Sequence, residues 1–319
     1  MTLCETIIHH ALRKREYSVI TSRAVKGNMY LLLASLAWGT TFVVQRTAMD
    51  HLGPFSYSGM RFLLGALFLL PFVIHRYRTK KIRPITILKG GKWFPLQASL
   101  LTGSLVFIGI NLQQIGLISS TAGKGGFITG LYVVIVPILG IFFGQKTGAG
   151  VWIGAALATA GLYLLSVTSG FSLAAGDGWI LSCAFVWAFQ VLSLGWLSPK
   201  IDSFVLALGQ SLVCGLLSLV VAVFIEQITF AAVSAAAFDL AYGGIVSVGL
   251  GYTFQVEGQK YAKASHAAII MQFEAVFAVI AGWFFLHEVL SARALLGCAL
   301  MLAGMVVSEL VEGEEEVAA

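Results

Sequence analysis

The sequence predicts an all-α membrane protein whose ten transmembrane helices form two inverted five-helix repeats around a central cavity. Three observations lead to this fold class: the composition, a series of apolar runs and an internal repeat. Of the 319 residues, 58% are hydrophobic and only 11% are charged, against roughly 25% charged residues in soluble domains. Because so few charged residues cannot cover a soluble surface of this size, lipid must face most of it.

The ten helices follow from ten apolar runs. A helix of about 20 apolar residues crosses the ~30 Å hydrocarbon layer of a bilayer. Runs of this length occupy residues 28–46, 54–74, 94–115, 121–143, 150–168, 178–197, 203–225, 236–257, 265–286 and 292–310. Very short connections such as GQKTGAG and SPKID join several of them. Neighbouring helices are therefore expected to be antiparallel and to form a compact bundle.

The distribution of Lys and Arg predicts the orientation of this bundle, because cytoplasmic segments beside membrane spans carry an excess of these residues. Five of the 20 Lys and Arg residues fall in a leader at 1–27, and seven fall in the segment 75–92. The leader lacks the unbroken apolar core of a signal peptide. We therefore expect a protein of the inner or plasma membrane with both termini in the cytoplasm, including an acidic tail at 311–319.

An internal repeat divides the chain into two halves. The segment LASLAWGTTF loosely matches LSCAFVWAFQ, and an offset of 149 residues places Trp38 on Trp187. At an offset of 142 residues, LQQIG aligns with FQVEG. Each half contains five spans, an odd number, so the second half starts on the opposite side of the membrane. The repeats at 28–168 and 177–310 are therefore expected to be inverted, as in many secondary transporters.

Four motifs carry a family resemblance. They are LLASLAWGTTFVVQR in the first span, MRFLLGALFLLP in the second, GLISSTAGKGGFITGLYVVIVPIL in the fourth and KYAKASHAAIIMQFEAVFAVIAGWFFLHE in the ninth. In these motifs the chain resembles the EamA-type permeases of the drug/metabolite transporter (DMT) superfamily. Members usually have Glu-Pro-Val and Gly-Glu where this chain has Glu274-Ala275-Val276 and His287-Glu288. Ala275 keeps the backbone N–H that proline would remove, so a kinked and a straight ninth helix both remain open.

The resemblance implies a mode of action as well as a fold. It implies that four helices of each half surround the central cavity while the fifth packs outside. It also implies secondary transport of small polar metabolites, often outward, by alternating access. We expect a transporter that exports an amino acid or a related compound, with proton coupling as an added hypothesis. An uptake permease of the same family and a membrane scaffold or sensor are the alternatives.

The sequence favours neither an enzyme nor a nucleic-acid-binding protein. The Gly-Lys pair at Lys124 lacks the spacing of a phosphate-binding loop, and the spans offer no nucleophile with a neighbouring base. The four cysteines have no disulfide or metal-ligand spacing, so no cofactor or metal is expected. The basic residues lie beside apolar spans and form no face of their own. The expected partners are a small-molecule substrate and the lipid bilayer, and the chain is expected to be a monomer or a homodimer.

Glu274 is the strongest candidate for a substrate-binding or coupling residue. It lies about nine residues into the ninth span, which places it ~13 Å from the inner end and close to the bilayer midplane. A carboxylate at this depth costs several kcal/mol unless it faces a wet cavity, meets a cation or takes a proton. The alternative is a structural carboxylate that neighbouring backbone groups satisfy. The 142-residue offset aligns Glu274 with Tyr132.

Lys124 and His266 align with each other at the same offset. Lys124 lies near the outer end of the fourth span and His266 at the cytoplasmic end of the ninth, so we expect them at opposite mouths of the cavity. Lys124 is expected either to attract an anionic group of the substrate or to pair with Glu274 in one state. The alternative is an interfacial anchor, since a lysine stem can reach from this depth to the headgroups.

The remaining candidates are polar and aromatic residues within the spans. Arg61 lies deep enough in the second span to need a partner, either a structural carboxylate or a substrate. Gln272 and Thr129 are expected to offer hydrogen bonds near the midplane. Trp38 and Trp187 are expected either to form two aromatic walls of the cavity or to pack between helices.

Two sets of residues are expected at helix contacts or in the interior. The glutamines too polar to face lipid are Gln45, Gln113, Gln190, Gln210 and Gln255. The glycines spaced by seven residues in the fifth and tenth spans are Gly154, Gly161, Gly297 and Gly304. Small residues at such a spacing let two helices approach closely, either within one chain or between two.

Overall fold

The computed structural model describes residues 3–79, 91–119, 122–167, 175–286 and 291–318, and all the regular structure in these ranges is helical. The first half contains α1 (Leu3–Ala48), α2 (Pro54–Arg78), α3 (Phe94–Leu117), α4 (Ala122–Gly130), α5 (Tyr132–Phe142) and α6 (Ala149–Ser166). The second half contains α7 (Asp177–Leu197), α8 (Ser203–Ile225), α9 (Phe230–Ala235), α10 (Ala237–Tyr242), a π-helical segment (Gly243–Gly251), α11 (Tyr252–Gly258), α12 (Ala264–Met271), α13 (Phe273–Leu286) and α14 (Ala292–Ala318).

Eight of the predicted spans coincide with helical stretches long and apolar enough to cross a membrane, counted over the described residues. They are Pro54–Arg78, Phe94–Leu117, Gly125–Phe142, Ala149–Ser166, Asp177–Lys200, Ser203–Ile225, Ala264–Ala281 and Ala292–Val311. The predicted span 28–46 lies within the longer helix α1. The predicted span 236–257 is a run of α10, the π-helical segment and α11 rather than one α-helix.

The helices begin and end at recognisable signals. Helix α2 has Pro54 in its first turn and a basic last turn, as expected where proline needs no hydrogen bond and cations meet the carbonyl end of the helix dipole. At the N-terminus of α8, the Asp202 side chain accepts a hydrogen bond from the backbone N–H of Phe204 at 3.0 Å. Asp202 also binds Arg76 at the end of α2, so the α2 C-terminus and the α8 N-terminus are joined.

Two of the spans are interrupted near their centres, at positions that the repeat relates. The fourth span is divided at Leu131, between α4 and α5, and the ninth at Gln272, between α12 and α13. The ninth span is thus interrupted without the family proline, at a residue that keeps helical backbone angles (Gln272 φ −60°, ψ −17°), and the Ala275 N–H donates to the carbonyl of Gln272 at 3.1 Å. The Gln272 side-chain amide donates to the carbonyl of Gly130 at 2.6 Å. The two interruptions are therefore in contact, and the Gln272 side chain in the ninth span supplies a hydrogen-bond donor to the Gly130 carbonyl in the fourth.

Helix packing between the halves follows a paired pattern. Helix α1 of the first half packs on α13 of the ninth span, and its counterpart α7 packs on α4 and α5 of the fourth span. In the same way, α3 packs on α8, and the π-helical segment, which is the counterpart of α3, packs on α2. Helices α2 and α8 pack on each other, as do α6 and α14. Each of these contacts is therefore either found again between the equivalent helices or formed between two helices that are equivalent by the repeat.

Helices α6 and α14 lie at the periphery and contact each other through glycines. A β-carbon added at Gly154 would lie 2.7 Å from the carbonyl oxygen of Gly304, and one added at Gly161 would lie 2.5 Å from that of Gly297. The four glycines expected to mediate close packing therefore face each other within one chain. This contact leaves them no free face for the alternative, an interface between two chains.

Candidate functional site

A cavity with about 600 Å³ of empty volume opens between the two halves of the bundle. Its lining residues are Trp38, Gln45, Arg61, Ile110, Gln113, Thr129, Tyr132, Trp187, Gln190, Val191, Ser247, Tyr252, Gln255, Met271 and Glu274. Helices α6 and α14 contribute none of these residues, in agreement with the expectation that the fifth helix of each half lies outside. Helix α8 also contributes none, although its repeat counterpart α2 contributes Arg61.

Glu274 and Tyr132 enter the cavity directly after the two helix interruptions. Each lies within the first two residues of its helix, Glu274 in α13 and Tyr132 in α5. A helix N-terminus directs its partial positive charge toward such a position. Among the described residues, the Glu274 carboxyl has no hydrogen bond or ion pair. It is therefore available to a ligand, a proton or a cation from the cavity.

Arg61 is the cationic side chain among the residues that line the cavity. It is 2% exposed, and its guanidinium carbon lies 4.9 Å from the centre of the Tyr57 ring and 5.4 Å from that of Phe62. Such stacking stabilises a desolvated guanidinium without using its N–H donors. In the described part of the chain, Nε and Nη1 have no hydrogen-bond partner. The structural ion pair considered for Arg61 is absent from these residues.

Two tryptophans line the cavity, and each packs on a glycine of the opposite half. A β-carbon at Gly251 would lie 2.6 Å from Nε1 of Trp38, and one at Gly109 would lie 3.2 Å from Cε2 of Trp187. Gly109 and Gly251 are themselves separated by the 142-residue repeat offset. The Trp38 indole N–H donates to the Ser247 carbonyl in the π-helical segment at 3.2 Å. The tryptophans therefore line the cavity and also pack between the halves.

Paired amide side chains surround the charged residues. The side chains of Gln190 and Gln255 exchange two hydrogen bonds of 3.2 and 3.1 Å. The Gln113 side chain donates to the Thr129 hydroxyl at 3.2 Å. The side-chain carbonyl of Gln45 accepts a hydrogen bond from the Gln114 side chain at 3.1 Å. Four of the five expected inward-facing glutamines thus line the cavity. The exception is Gln210 of α8, which is fully buried outside the cavity and has no hydrogen-bond partner among the described residues.

The structure places two of the predicted site residues away from the cavity. His266 binds α14, with 2.9 Å between its Nδ1 and the Ser308 hydroxyl and 2.6 Å between its Nε2 and the Glu309 carboxylate. The expectation that His266 lies at a cavity mouth is therefore corrected, because its ring points toward the tenth span. Gln272 is 1% exposed and is used in the bond to Gly130.

Three other residues named in the sequence analysis fall where the structure gives no side-chain description. The backbone of Lys124 belongs to α4, but its side chain lies outside the described residues. His287 and Glu288 also fall outside them. The role of Lys124 as a substrate group or an interfacial anchor therefore stays a prediction.

Comparison with known proteins gives the family. A model of the EamA-like transporter family matches residues 25–167 and 174–310. The chain belongs to the EamA-like transporter family. An uncharacterized transporter of Archaeoglobus fulgidus is 30% identical over 285 residues, with 88% of this chain and 84% of the relative covered. The uncharacterized inner membrane transporter YedA of Escherichia coli is 29% identical over 166 residues, or 48% of each chain. A solved crystal structure shares the fold, with a TM-score of 0.75, 17% identity, and coverage of 89% of this chain and 96% of that one.

Family membership makes this chain a multi-pass membrane transporter, not an enzyme. Its lining residues also show how an EamA-like cavity follows from the repeat. Ten of them form five pairs at the two repeat offsets: Trp38 with Trp187, Ile110 with Tyr252, Gln113 with Gln255, Thr129 with Met271, and Tyr132 with Glu274. The sequence prediction did not name Tyr252, Met271 or Ile110 as site residues. The 142-residue offset leads from the predicted Thr129 to Met271, whereas it relates Ile110 and Tyr252 only to each other, so the offset alone could not have found that pair.

The chemistry available to this EamA-like transporter is binding rather than bond making. The cavity combines one guanidinium, one carboxyl group, amide donors and acceptors, and four aromatic side chains. Apolar walls with a few oriented polar groups are typical of sites that select small molecules. The described residues contain no group of three or more His, Cys, Asp or Glu side chains suited to a metal ion.

Proposed function

We propose that this chain is a secondary-active transporter that exports a small zwitterionic metabolite, an amino acid or a related compound, by alternating access. The observation that carries the proposal is the presence of Arg61 and Glu274 on one cavity, where Nε and Nη1 of Arg61 have no hydrogen-bond partner among the described residues. A guanidinium matches a carboxylate through two parallel hydrogen bonds. A carboxylate in turn matches an ammonium group. An amino acid presents both of these groups close together.

The aromatic walls favour an amino acid over a small inorganic ion. Trp38 and Tyr252 lie edge to face with 5.3 Å between their ring centres, and Trp187 lines the same space. These rings give an apolar side chain a surface on which to be buried. Export rather than uptake is supported only by the resemblance to transporters that often move their substrates outward.

The proposal includes ten spans in two inverted halves. It adds the apolar part of α1 and the run from α10 through α11 to the eight helices that meet the length and composition criteria. Inversion is supported by the paired helix contacts and by the reciprocal packing of Trp38 on Gly251 and Trp187 on Gly109. The interrupted helices agree with it, because discontinuous helices at the midplane form the binding sites of many inverted-repeat transporters.

Both termini are proposed to lie in the cytoplasm. The Lys and Arg excess in the leader and in segment 75–92 supports this orientation. The Asn28 side chain donates to the Glu309 carboxylate at 2.8 Å, so the start of the first span and the end of the tenth lie on one side. A chain with an even number of spans must begin and end on the same side of the membrane.

The proposal is tested by flux measurement in proteoliposomes. Purified protein is reconstituted with an internal mixture of amino acids, and their release is followed by mass spectrometry. We expect release of a subset of amino acids in the unmodified protein and a loss of roughly tenfold or more in Arg61→Met and in Glu274→Gln, as expected when a charge-assisted hydrogen bond is removed. Asp239→Asn, a buried carboxyl outside the cavity, is the matched control and should keep its flux.

Two results would contradict this assignment. One is the absence of amino-acid flux in correctly folded, reconstituted protein. The other is equal loss in Asp239→Asn and Glu274→Gln, which would mean that any buried carboxyl is needed for folding. Flux of an anion without an ammonium group that survives Glu274→Gln but not Arg61→Met would replace the zwitterion with a monoanion.

Proton coupling through Glu274 extends the proposal. Because its carboxyl faces the cavity without a described partner, it can exchange a proton from whichever side the cavity is open to. We expect an imposed pH gradient to drive amino-acid accumulation in the unmodified protein. Glu274→Gln should keep some exchange of substrate between the two sides and lose the response to the gradient. Retention of gradient-driven accumulation in Glu274→Gln would assign the coupling to another group.

Lys124 is proposed to attract the substrate carboxylate before it reaches Arg61. Lys124 lies five residues before Thr129 in α4, and the glycine-rich stretch around it leaves room for a substrate to approach, which supports the proposal. The test is the apparent affinity of the identified substrate in Lys124→Ala. A several-fold weaker affinity is expected, whereas an unchanged affinity would leave Lys124 as an interfacial anchor.

A further inference from the structure

A groove with about 860 Å³ of empty volume lies on the outside of the bundle, where α6 packs against α4 and α5. Phe127 of α4 and Val134 of α5 line it, one before and one after the interruption at Leu131. The groove shares no lining residue with the central cavity, so it is a separate site. The other lining residues belong to α6 and are Ala156, Thr159, Ala160, Tyr163 and Leu164.

The lining of this groove is apolar. Four of its seven residues are aliphatic, two are aromatic and none is charged. The hydroxyl of the seventh, Thr159, donates to the Ala155 carbonyl of its own helix at 2.7 Å. Ala156, Ala160 and Tyr163 are exposed and lie at positions i, i+4 and i+7, which form one stripe along a helix. The groove therefore suits a hydrocarbon chain rather than a polar metabolite.

The length of the groove matches one leaflet of a bilayer. Eight residues separate Ala156 from Leu164, which corresponds to ~12 Å along a helix that rises 1.5 Å per residue. Half of the hydrocarbon layer is about 15 Å thick. Leu164 lies in the last turn of α6, whereas Ala156 lies near the middle of the helix. The groove thus runs from near one membrane surface toward the bilayer centre, as an acyl chain does.

A guanidinium group lies at the end of the groove that is near the membrane surface. Arg293, in the first turn of α14, donates from Nε to the Leu164 carbonyl at 3.0 Å. Its guanidinium carbon lies 5.7 Å from the centre of the Tyr163 ring. The Leu164 carbonyl is among the last four of α6, which have no partner within a helix, and a cation is favoured at this end. Two lining residues therefore hold the Arg293 side chain at the groove.

The remaining donors of this guanidinium indicate the class of ligand. Arg293 is exposed, and its bond to Leu164 uses Nε, which leaves the two Nη nitrogens as donors. A guanidinium matches the oxygens of a phosphate group through paired hydrogen bonds. A phosphate group directly above an acyl chain is the arrangement of a phospholipid. A soluble anion would leave the groove empty, and an uncharged hydrocarbon would leave the guanidinium unused.

We propose that this groove is a binding site for one phospholipid of the surrounding bilayer, with an acyl chain along α6 and the phosphate group on Arg293. An anionic lipid such as phosphatidylglycerol should bind best, because a choline headgroup places a second cation beside the guanidinium. On the proposed topology the site lies in the outer leaflet.

A lipid in this groove would contact three helices at once. It would lie beside the interruption at Leu131 and hold α4 and α5 against α6. Tyr132, the first residue of α5, lines the central cavity. Bound lipid is therefore expected to stabilise the protein and to limit movement of the fourth span at the cavity.

The experiment maps lipid contacts on the full-length chain in nanodiscs. The bilayer is phosphatidylcholine with a small fraction of phosphatidylglycerol that carries a photoactivatable diazirine in the middle of one acyl chain. After illumination, the labelled residues are identified by mass spectrometry. We expect saturable labelling at one lipid per chain, concentrated on residues 156–164 of α6 and on Phe127. Unlabelled phosphatidylglycerol should compete for the site, and diacylglycerol, which lacks the phosphate group, should compete about tenfold less well.

Variants test the two ends of the site separately. Arg293→Gln should weaken binding of the phosphatidylglycerol probe roughly tenfold, and Arg293→Lys, which keeps the charge, should weaken it less. Ala160→Leu places a larger side chain in the groove and should weaken binding several-fold by excluding the acyl chain. The matched controls are Arg78→Gln, an exposed arginine at the end of α2, and Ala303→Leu, an exposed alanine of α14 outside the groove. Both controls should bind the probe as the unmodified chain does.

Four outcomes would overturn the proposal. The first is labelling spread evenly over the lipid-facing helices without saturation. The second is unchanged affinity in Arg293→Gln or in correctly folded Ala160→Leu, and Arg293→Gln decides alone if Ala160→Leu does not fold. The third is equal weakening in the control variants. The fourth is protection of α6 from the probe in a particle that contains two chains, which would make a second copy the occupant. None of these outcomes depends on the substrate of the central cavity, so this proposal and the transport proposal fail separately.

Discussion

The contact between α6 and α14 allows a sharp test of the packing. A β-carbon at Gly161 would lie 2.5 Å from the carbonyl oxygen of Gly297 and 2.9 Å from the backbone nitrogen of Met301. Both atoms belong to the backbone, so no side-chain rotation can make room, and the two helices must separate. Gly161→Ala is therefore expected to lower the free energy of unfolding by about 1–3 kcal/mol, the usual cost of an extra methyl group in a packed contact.

The matched control is Gly126→Ala. Gly126 lies inside helix α4, and a β-carbon there would meet nothing within 4 Å. In an open helical position, alanine favours the helix over glycine by up to ~1 kcal/mol. The same chemical change should thus stabilise the protein slightly at 126 and destabilise it at 161, a difference of about 1–4 kcal/mol between the two variants.

The double variant Gly161→Ala/Gly297→Ala tests whether the contact is reciprocal. A β-carbon at Gly297 would lie 2.6 Å from the carbonyl oxygen of Gly161, so one separation of the helices relieves both clashes. The cost of the double change should fall below the sum of the single costs by ~0.5 kcal/mol or more. Free energies come from reversible unfolding in detergent, followed by circular dichroism. The reasoning is refuted if Gly161→Ala is as stable as Gly126→Ala. It is also refuted if Gly161→Ala alters the oligomeric state without changing stability, because the glycines would then act between chains.

Three further predictions concern individual side chains. Gln190→Leu or Gln255→Leu alone should cost ~1–3 kcal/mol of stability because each leaves the other amide unpaired, whereas the double change should cost less than either single one; detergent unfolding measures all three. Glu226→Ala should cost ~1–2 kcal/mol by thermal unfolding, because its carboxylate accepts N–H bonds at the start of α2, including one of 2.7 Å from Ser56. Trp38→Phe, which loses the N–H bond to the π-helical segment but keeps the aromatic wall, should weaken substrate binding by less than tenfold, while Trp38→Ala should weaken it more.

Much of the fold could be predicted from the sequence because the membrane imposes a length on each helix. A run of about 20 apolar residues has few alternatives in a bilayer, and eight of the predicted spans are helices of that kind. Length and apolar composition do not indicate whether a span is an α-helix or contains a π-helix. The span 236–257 is apolar enough to be predicted, but it contains the π-helical segment Gly243–Gly251, which hydropathy cannot distinguish from an α-helix.

The candidate site could be predicted in part, for a related reason. A repeat offset identifies which residues are equivalent, but it does not identify the neighbours toward which each one points. Tyr132 and Glu274 are equivalent and both line the cavity. Lys124 and His266 are equivalent as well, yet the His266 ring meets Ser308 and Glu309 on α14. That contact depends on how the ninth span packs on the tenth, which no local pattern in the sequence specifies.

The departures from symmetry carry the chemical character of the cavity. An alternating-access transporter needs two gates of similar construction, and the duplicated pairs of Trp38 on Gly251 and Trp187 on Gly109 supply similar contacts to both halves. The charged groups are not duplicated: Glu274 aligns with Tyr132, and Arg61 aligns with Gln210 at the 149-residue offset. A group near the axis that relates the halves can face the substrate whichever gate is open, so one copy serves both states. The repeat therefore accounts for the frame of the cavity, and the two unmatched charges are the basis of the proposed selection of a zwitterion.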